Sequence, residues 1–247
     1  SGIRRAARTK NYDLVHAHYV LSAFSATLAR VRPLVVSLMG SDVFVPPVAR
    51  FTIRLLAKWK WDAVIVKTPE MKELLNLKSA FIIPNGVDTD SFIPLDRASA
   101  RHHLGLDLHK RLVVFIAGMN RPEKRIGLAR KAMKALNDPG VAFLHVYDRP
   151  NSEISWFLNA ADLLLLTSER EGSVNVVKEA MACNCPVVST DAGDVCHIIS
   201  DVDGCYVTAG NEGSIAEGIR KALAFNQKTS GRERIFALGL DAGSVAV

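Results

Sequence analysis

Short apolar runs alternate with helix-length amphipathic segments along this 247-residue chain, and that alternation restricts its fold more than any other feature. Two strands separated by a helix run parallel in one sheet, and parallel sheets are covered by helices on both faces. The sequence therefore predicts an α/β protein whose ligands bind beyond the carboxyl ends of its strands. The predicted strands are residues 12–19, 33–40, 62–68, 80–84, 111–118, 141–147, 163–167, 186–190 and 205–208.

A strong turn signal, Pro84-Asn85-Gly86, is followed by a polar stretch and then by a new apolar run. This change in composition predicts a domain boundary. We predict a first domain over residues 1–92, a linker over 93–110 and a second domain over 111–247. No apolar run approaches the length that a membrane-spanning helix needs.

The chain is basic, with a formal net charge of +6 and an isoelectric point near 9.2. A positive balance favours anionic ligands or a negatively charged surface, but the basic residues are dispersed among acidic ones. Because no stripe of Lys and Arg is interleaved with aromatic residues, the sequence does not indicate a nucleic-acid partner. Association with an anionic membrane leaflet remains open.

All four cysteines lie in the C-terminal third of the chain: Cys183, Cys185, Cys196 and Cys205. The spacing of the first pair does not suit a zinc knuckle, and the pair falls where a predicted helix meets a strand. We therefore predict reduced, packed thiols in a cytoplasmic protein, and no metal site.

Two carboxylates in the stretch 167–194 have an informative spacing. Glu171 and Glu179 are eight positions apart, a little over two helical turns, so both can face one cleft if a helix begins just after Glu171. The residues that follow Glu171 are Gly172, Ser173, Val174 and Asn175. Their free N–H groups would favour an anion or a sugar hydroxyl at the start of that helix. The simpler alternative is a favourable charge in a first helical turn and a solvated glutamate on its face.

A basic turn, MNRPEKR, follows the predicted strand 111–118. A strand that leads into a basic turn and a helix can bind phosphate, with Lys124 as a mobile point charge and Arg121 as a bidentate donor. A solvated basic turn is the alternative.

Polar residues also end two strands of the first domain. His16 and His18 are two positions apart, so both lie on one face of their strand, but no third metal ligand of matching spacing is nearby. We favour one buried, hydrogen-bonded histidine and one histidine in a cleft. Gly40-Ser41-Asp42 is a cleft candidate, and an ordinary turn closed by the aspartate is the alternative.

The string EGSVNVVKEAMACNCPVVST closely resembles the donor-binding signature of retaining nucleotide-sugar glycosyltransferases of family four, which have the GT-B fold. In the first half, HAHY, the GSD turn and IIPNGVDTDSF resemble the N-terminal domain and crossover of the same family. The resemblance implies two Rossmann-like parallel-sheet domains. It also implies that the start of the N-terminal, acceptor-side domain is missing, because relatives open with a strand, a Gly-rich turn and further βα units.

The resemblance implies a role for each candidate residue. Lys124 would hold the diphosphate, Glu171 the donor sugar and Glu179 the ribose, with the backbone of residues 172–175 close to the diphosphate and sugar. Two positions depart from the family pattern. Met119 stands where relatives carry an arginine, so Arg121 is the expected replacement. Met39 stands where many relatives carry a histidine near the reacting sugar, and His18 is the candidate substitute.

The predicted function is metal-independent transfer of a hexosyl-type sugar, with retention, from a nucleoside diphosphate donor to the hydroxyl of a carbohydrate or lipid-linked acceptor. No cofactor beyond the donor substrate is expected. The predicted location is cytoplasmic, with peripheral association at the inner membrane left open. Two alternatives stay open: a nucleotide-binding module of the same fold without turnover, and a nucleotide-sugar epimerase.

Overall fold

The computed structural model describes residues 2–9 and 12–246 and divides the chain into two compact units, residues 1–84 and 85–247. The first unit contains one parallel sheet in the order β1-β2-β3-β4. Its elements are α1 (Gly2–Thr9), β1 (Val15–His18), α2 (Val20–Ala29), β2 (Leu34–Ser37), α3 (Pro47–Trp59), β3 (Ala63–Val66), α4 (Pro69–Leu75) and β4 (Phe81–Ile82).

The second unit contains a five-stranded parallel sheet in the order β6-β5-β7-β8-β9. Its elements are α5 (Arg97–Leu104), β5 (Arg111–Ile116), a 3₁₀ turn (Pro122–Lys124), α6 (Ile126–Leu136), β6 (Val141–Val146), α7 (Asn151–Ala160), β7 (Leu163–Leu166), α8 (Asn175–Ala182), β8 (Val187–Thr190), α9 (Val195–Ile199), β9 (Tyr206–Thr208), α10 (Glu212–Phe225), α11 (Gly231–Ala237) and α12 (Ala242–Val245). The chain leaves β5 on one side for β6 and returns on the other for β7, which makes a topological switch point.

Strand β7 consists of four consecutive leucines, so its residues are apolar at every position rather than at every second one. Leu164 and Leu166 pack into one hydrophobic cluster, and Leu163 and Leu165 pack into another. Both faces of the sheet are therefore buried, as a doubly covered parallel sheet requires.

The division between the units lies at Pro84 and Asn85, whereas the sequence predicted a boundary at residue 92 and a linker over 93–110. Much of that stretch is helix α5, which packs against α7. The buried Arg101 of α5 pairs with Asp162 at 2.6 Å and donates to the Ala160 carbonyl. A polar composition resembled a linker because the sequence does not reveal the carboxylate that lets an arginine be buried.

The four cysteines are free thiols, and burial raises the pKa of Cys183, Cys185 and Cys205. Cys196 is exposed, so the prediction of packed thiols is wrong for that residue. Within the described residues, no helix is both long and apolar enough to cross a membrane.

Candidate functional site

The candidate site is a cavity of about 260 Å³ at the carboxyl ends of β5 and β7, the switch point of the second sheet. Its lining residues are Ile116, Lys124, Glu171, Ser173, Val174, Asn175, Val176 and Glu179. The turn after β5 provides the lysine, and the loop and helix after β7 provide both glutamates. The structure thus brings together six of the nine residues that the sequence singled out.

Lys124 and Glu171 both line the cavity and form an ion pair with each other. The Lys124 Nζ lies 2.5 Å from Glu171 Oε1, and the two side chains are only 14% and 13% exposed. Thr167, just after β7, donates its hydroxyl to the carbonyls of Lys124 and Arg125 at 2.9 and 3.1 Å. These bonds hold the basic turn against the loop that carries Glu171, so the ion pair is positioned by backbone on both sides.

Glu179 lies two turns below Glu171, on the second turn of α8, and lines the same cavity. Burial alone raises its pKa from 4.5 to about 7. Among the described residues no donor pairs with this carboxylate, in contrast to the Lys124–Glu171 pair. Glu179 is thus a largely buried acid whose hydrogen-bonding capacity is left for a ligand.

Glu179→Gln is expected to stabilise the protein above about pH 7. Since burial raises the pKa of the folded state from 4.5 to about 7, the unfolded chain ionises first as pH rises. The free energy of unfolding of the wild type should therefore fall between those two values, by up to about 3 kcal/mol, and level off above them. Urea denaturation across this pH range measures the effect.

The glutamine variant should lack this fall, and the exposed substitution Glu217→Gln should leave it intact. An identical pH dependence in wild type and Glu179→Gln would show that Glu179 is not the titrating group.

The backbone at the start of α8 differs from the sequence-based prediction. We expected free N–H groups at residues 172–175, but the Val174 N–H donates to Asp194 Oδ1 at 2.9 Å. Asp194 comes from the turn after β8 and acts as an anion at the helix start. The next two N–H groups, those of Asn175 and Val176, have no intrahelical acceptor by position, and both residues line the cavity.

Lys178 is a residue of the site region that the sequence reasoning missed. It is fully buried on α8, and its Nζ lies 3.0 Å from Asp194 Oδ2 and 2.9 Å from the Asn85 carbonyl oxygen. It also donates to the Ser173 hydroxyl, which in turn donates to Asp194. Burial lowers the pKa of Lys178, and Asp194 opposes that shift. The sequence did contain a signal: Lys178 lies on the side of α8 that packs against the core, where a lysine needs an acidic partner.

Gly193 brings the Asp194 turn close to the Glu171 loop. Its φ is +63°, and a Cβ on it would collide with the Gly172 carbonyl oxygen. Asn85 contacts the other side of the loop, donating its N–H to the Ser173 hydroxyl at 3.0 Å and its amide to Asn175 Oδ1 at 3.0 Å. The 171–174 loop is thus contacted on one side by the Gly193–Asp194 turn and on another by Asn85.

Three of the predicted site residues are not among those that line the cavity: Arg121, His18 and Gly172. The Arg121 side chain is 54% exposed, is paired with Glu123 and is not among the residues that line the cavity. His18 belongs to the first unit, where its ring lies 4.2 Å from that of His16. Both histidines are exposed, and the His16 ring contacts the Ser37 hydroxyl at 2.8 Å, so the interpretation with one buried histidine is wrong.

Asp42 is a structural residue of the first unit. It is buried and accepts hydrogen bonds from the N–H groups of Val20, Met39 and Gly40 at 3.1, 2.9 and 2.8 Å. Burial raises its pKa in spite of those bonds. The alternative of an ordinary turn closed by an aspartate is confirmed. In the described part of the chain, no group of three or more His, Cys, Asp or Glu side chains could hold a metal ion.

Two α/β units with parallel sheets, and a cavity at the switch point of the second sheet, are the features expected of a GT-B glycosyltransferase. Solved structures of low sequence identity share this fold. Sucrose-phosphate synthase from Thermosynechococcus elongatus has a TM-score of 0.82 at 19% identity, covering 98% of this chain and 73% of that one. Anabaena Alr3699/HepE in complex with UDP-glucose has a TM-score of 0.82 at 22% identity, covering 99% and 78%.

Sequence comparison gives the family. Residues 104–224 match the model for "Glycosyl transferases group 1", and residues 1–91 match the model for "Glycosyltransferase Family 4". Since the two matches together cover most of the chain, it belongs to the family-four, group 1 glycosyltransferases.

Curated relatives agree with that assignment. The D-inositol 3-phosphate glycosyltransferase of Mycobacterium sp. (strain KMS) is 30% identical over 286 residues, covering 95% of this chain and 65% of the relative. The TuaC protein of Bacillus subtilis (strain 168) is 29% identical over 238 residues, covering 85% and 61%. The chain therefore spans less than two thirds of the length of these relatives.

Proposed function

We propose that this chain binds a nucleoside diphosphate sugar and transfers the sugar to an acceptor hydroxyl with retention of configuration. The observation that carries the proposal is the single cavity that joins Lys124, Glu171 and Glu179 at the switch point of the second sheet. A cation, a paired carboxylate and a carboxyl group without a donor match the three parts of such a ligand: diphosphate, sugar and ribose.

The diphosphate is the leaving group, and its departure sets the chemical requirement. As the bond between the sugar carbon and the phosphate oxygen breaks, negative charge grows on that oxygen. The Lys124 ammonium, held near the cavity by its turn, stabilises this charge together with the N–H groups of Asn175 and Val176. This scheme needs no divalent metal and no cofactor besides the donor.

The acceptor oxygen forms its bond to the same face of the sugar carbon that the phosphate leaves. Its proton passes to the departing phosphate oxygen, so atoms and charge balance without a carboxylate nucleophile. A glycosidase would instead need two carboxyl groups on opposite sides of the reacting bond. Glu171 and Glu179 lie on one continuous loop and helix, and Glu171 forms an ion pair with Lys124. They therefore do not provide the two opposed carboxyl groups of a glycosidase.

Glu171 and Glu179 have separate tasks in this proposal. When the donor enters, the Lys124 ammonium turns from Glu171 toward the diphosphate, and the Glu171 carboxylate accepts hydroxyls of the sugar. Glu179 accepts the ribose hydroxyls, which supply hydrogen bonds that its buried position otherwise denies it. Arg121 has no part in the proposal as long as Glu123 holds it.

Ligand complexes of proteins with the same fold support the donor class. Complexes of Anabaena Alr3699/HepE contain UDP-glucose or UDP, and a Staphylococcus aureus TarM variant is described in complex with UDP and alpha-GlcNAc-glycerol. By analogy we propose a hexosyl donor and a carbohydrate or lipid-linked acceptor. We place the reaction in the cytoplasm.

Calorimetric titration with UDP, GDP and ADP tests the proposal. One nucleotide is expected to bind, and Glu179→Ala should weaken it roughly tenfold to hundredfold because a hydrogen bond to a charged group is lost. The same variant should leave the affinity for inorganic pyrophosphate unchanged. The exposed Glu217→Ala is the matched control and should not alter either affinity.

Failure of all three nucleotides to bind a folded protein would reject the transferase assignment, and equal weakening of nucleotide and pyrophosphate would reject the ribose role. Incubation with a sugar donor that contains the nucleotide found to bind then distinguishes a transferase, an epimerase and a module without turnover. Release of nucleoside diphosphate indicates transfer or hydrolysis, a changed sugar indicates an epimerase, and binding without reaction indicates a module without turnover.

A further inference from the structure

Helix α3 of the first unit carries an apolar stripe that faces away from the core. The stripe consists of Val48, Phe51, Leu55 and Trp59, which are between 49% and 77% exposed. Their spacing of three or four residues places them on one side of the helix. Ile53, on the opposite side, is 1% exposed and belongs to the core of the unit. Helix α3 is therefore apolar on two faces, and only one of them is used for folding.

The charged residues of α3 itself are all positive. Helix α3 contains Arg50, Arg54 and Lys58 and no acidic residue, and Lys60 follows directly after its last turn. The Lys58 ammonium lies 5.1 Å from the centre of the Trp59 ring, so cation and aromatic ring are presented together. An aromatic ring beside basic side chains is typical of helices that lie at a membrane surface.

A cavity of about 510 Å³ lies next to this helix. It is lined by Arg54 and Lys58 of α3 and by Lys78 of the following loop, among other residues. Basic side chains that line one cavity attract an anionic group to it.

We propose that α3 docks on the surface of an anionic lipid bilayer. The stripe enters the boundary between headgroups and acyl chains, while the lipid phosphates contact Lys58, Lys60 and the basic cavity. Charge complementarity favours this occupant over a second copy of the chain, because pairing two α3 helices would bring their cations together. The proposal does not depend on the nucleotide site, and its test uses no donor.

Vesicle co-sedimentation of the whole chain tests the proposal. Vesicles containing about one-third phosphatidylglycerol should bind the protein about a hundredfold better than pure phosphatidylcholine vesicles, as expected for three basic residues at the surface. Leu55→Glu should weaken binding at least about tenfold, since it puts a charge in the stripe. The matched control is Leu28→Glu on α2, which makes the same change at an 83% exposed position outside the stripe.

Tryptophan fluorescence identifies the contact surface in the same samples. Brominated lipid should quench Trp59, which is 62% exposed, and should not quench Trp61, which is 5% exposed. The Trp59→Phe variant should therefore bind the vesicles but lose most of the quenching. Circular dichroism confirms that each variant is folded.

Three outcomes would overturn the proposal. The first is no binding to anionic vesicles by the folded wild type. The second is equal loss of binding in Leu55→Glu and Leu28→Glu. The third is a dimer in analytical ultracentrifugation that Leu55→Glu dissociates, since a second copy would then occupy the stripe.

Discussion

Lys178→Met is expected to lower the free energy of unfolding by about 3–5 kcal/mol, the largest effect on stability that we predict. The lysine is fully buried, and its removal leaves the Asp194 carboxylate, which is only 11% exposed, without its cation. The Asn85 carbonyl and the Ser173 hydroxyl lose a donor at the same time. The measurement is the midpoint of urea unfolding, with the exposed Lys221→Met as a control that should change stability by less than about 0.5 kcal/mol.

The double variant Lys178→Met, Asp194→Asn distinguishes an ion pair from a purely steric role. If the buried charge is the cause, removing both partners should restore part of the stability that the single variant loses. Because the pair holds Ser173 of the 171–174 loop, which lines the proposed nucleotide cavity, the single variant should also bind nucleotide more weakly under conditions where it is folded. A stable Lys178→Met protein with unchanged nucleotide affinity would contradict both expectations.

Lys124→Met is expected to reduce the rate of sugar transfer or donor hydrolysis by about 10²–10³-fold, the largest effect on activity that we predict. Among the described residues that line the cavity, Lys124 is the one with a positively charged side chain. In the proposed mechanism it lies where the leaving diphosphate develops charge. Lys124→Arg keeps the charge and should retain more activity than Lys124→Met. The measurement is the initial rate of nucleoside diphosphate release from the donor that binds.

The pattern of binding separates this role from that of Glu179. Lys124→Met should weaken nucleotide and pyrophosphate alike, whereas Glu179→Ala should weaken only the nucleotide. Arg121→Met is the comparison for a basic residue of the same turn, and it should change the rate by less than about threefold because its side chain is exposed and paired with Glu123. A larger loss in Arg121→Met than in Lys124→Met would reverse the assignment.

Much of the candidate site could be predicted from local spacing. Glu171 and Glu179 share a cavity because helical periodicity puts residues about two turns apart on the same side, and the helix begins at Asn175, inside the predicted stretch. Lys124 joins them because the carboxyl ends of parallel strands meet at one edge of a sheet. The alternation of apolar runs predicted both sheets for the same reason.

Two features that differ from the sequence-based predictions depend on partners distant in sequence. The polar stretch 93–110 resembled a linker until Asp162 was seen to pair with Arg101. The N–H of Val174 was expected to be free, but it donates to Asp194, which is twenty positions later in the chain. Nothing in the sequence near Val174 indicates that this carboxylate will be its acceptor.

Periodicity along the chain was enough to predict the alternation of strands and helices, the two sheets and the shared side of Glu171 and Glu179, and the common edge of parallel strand ends added Lys124. The contacts that hold the 171–174 loop, and the face of α3 that stays uncovered, could be known only from the folded chain. Both depend on packing between distant segments: Asn85, Lys178 and Asp194 meet through the fold, and the stripe on α3 is exposed because Ile53, not Leu55, faces the core.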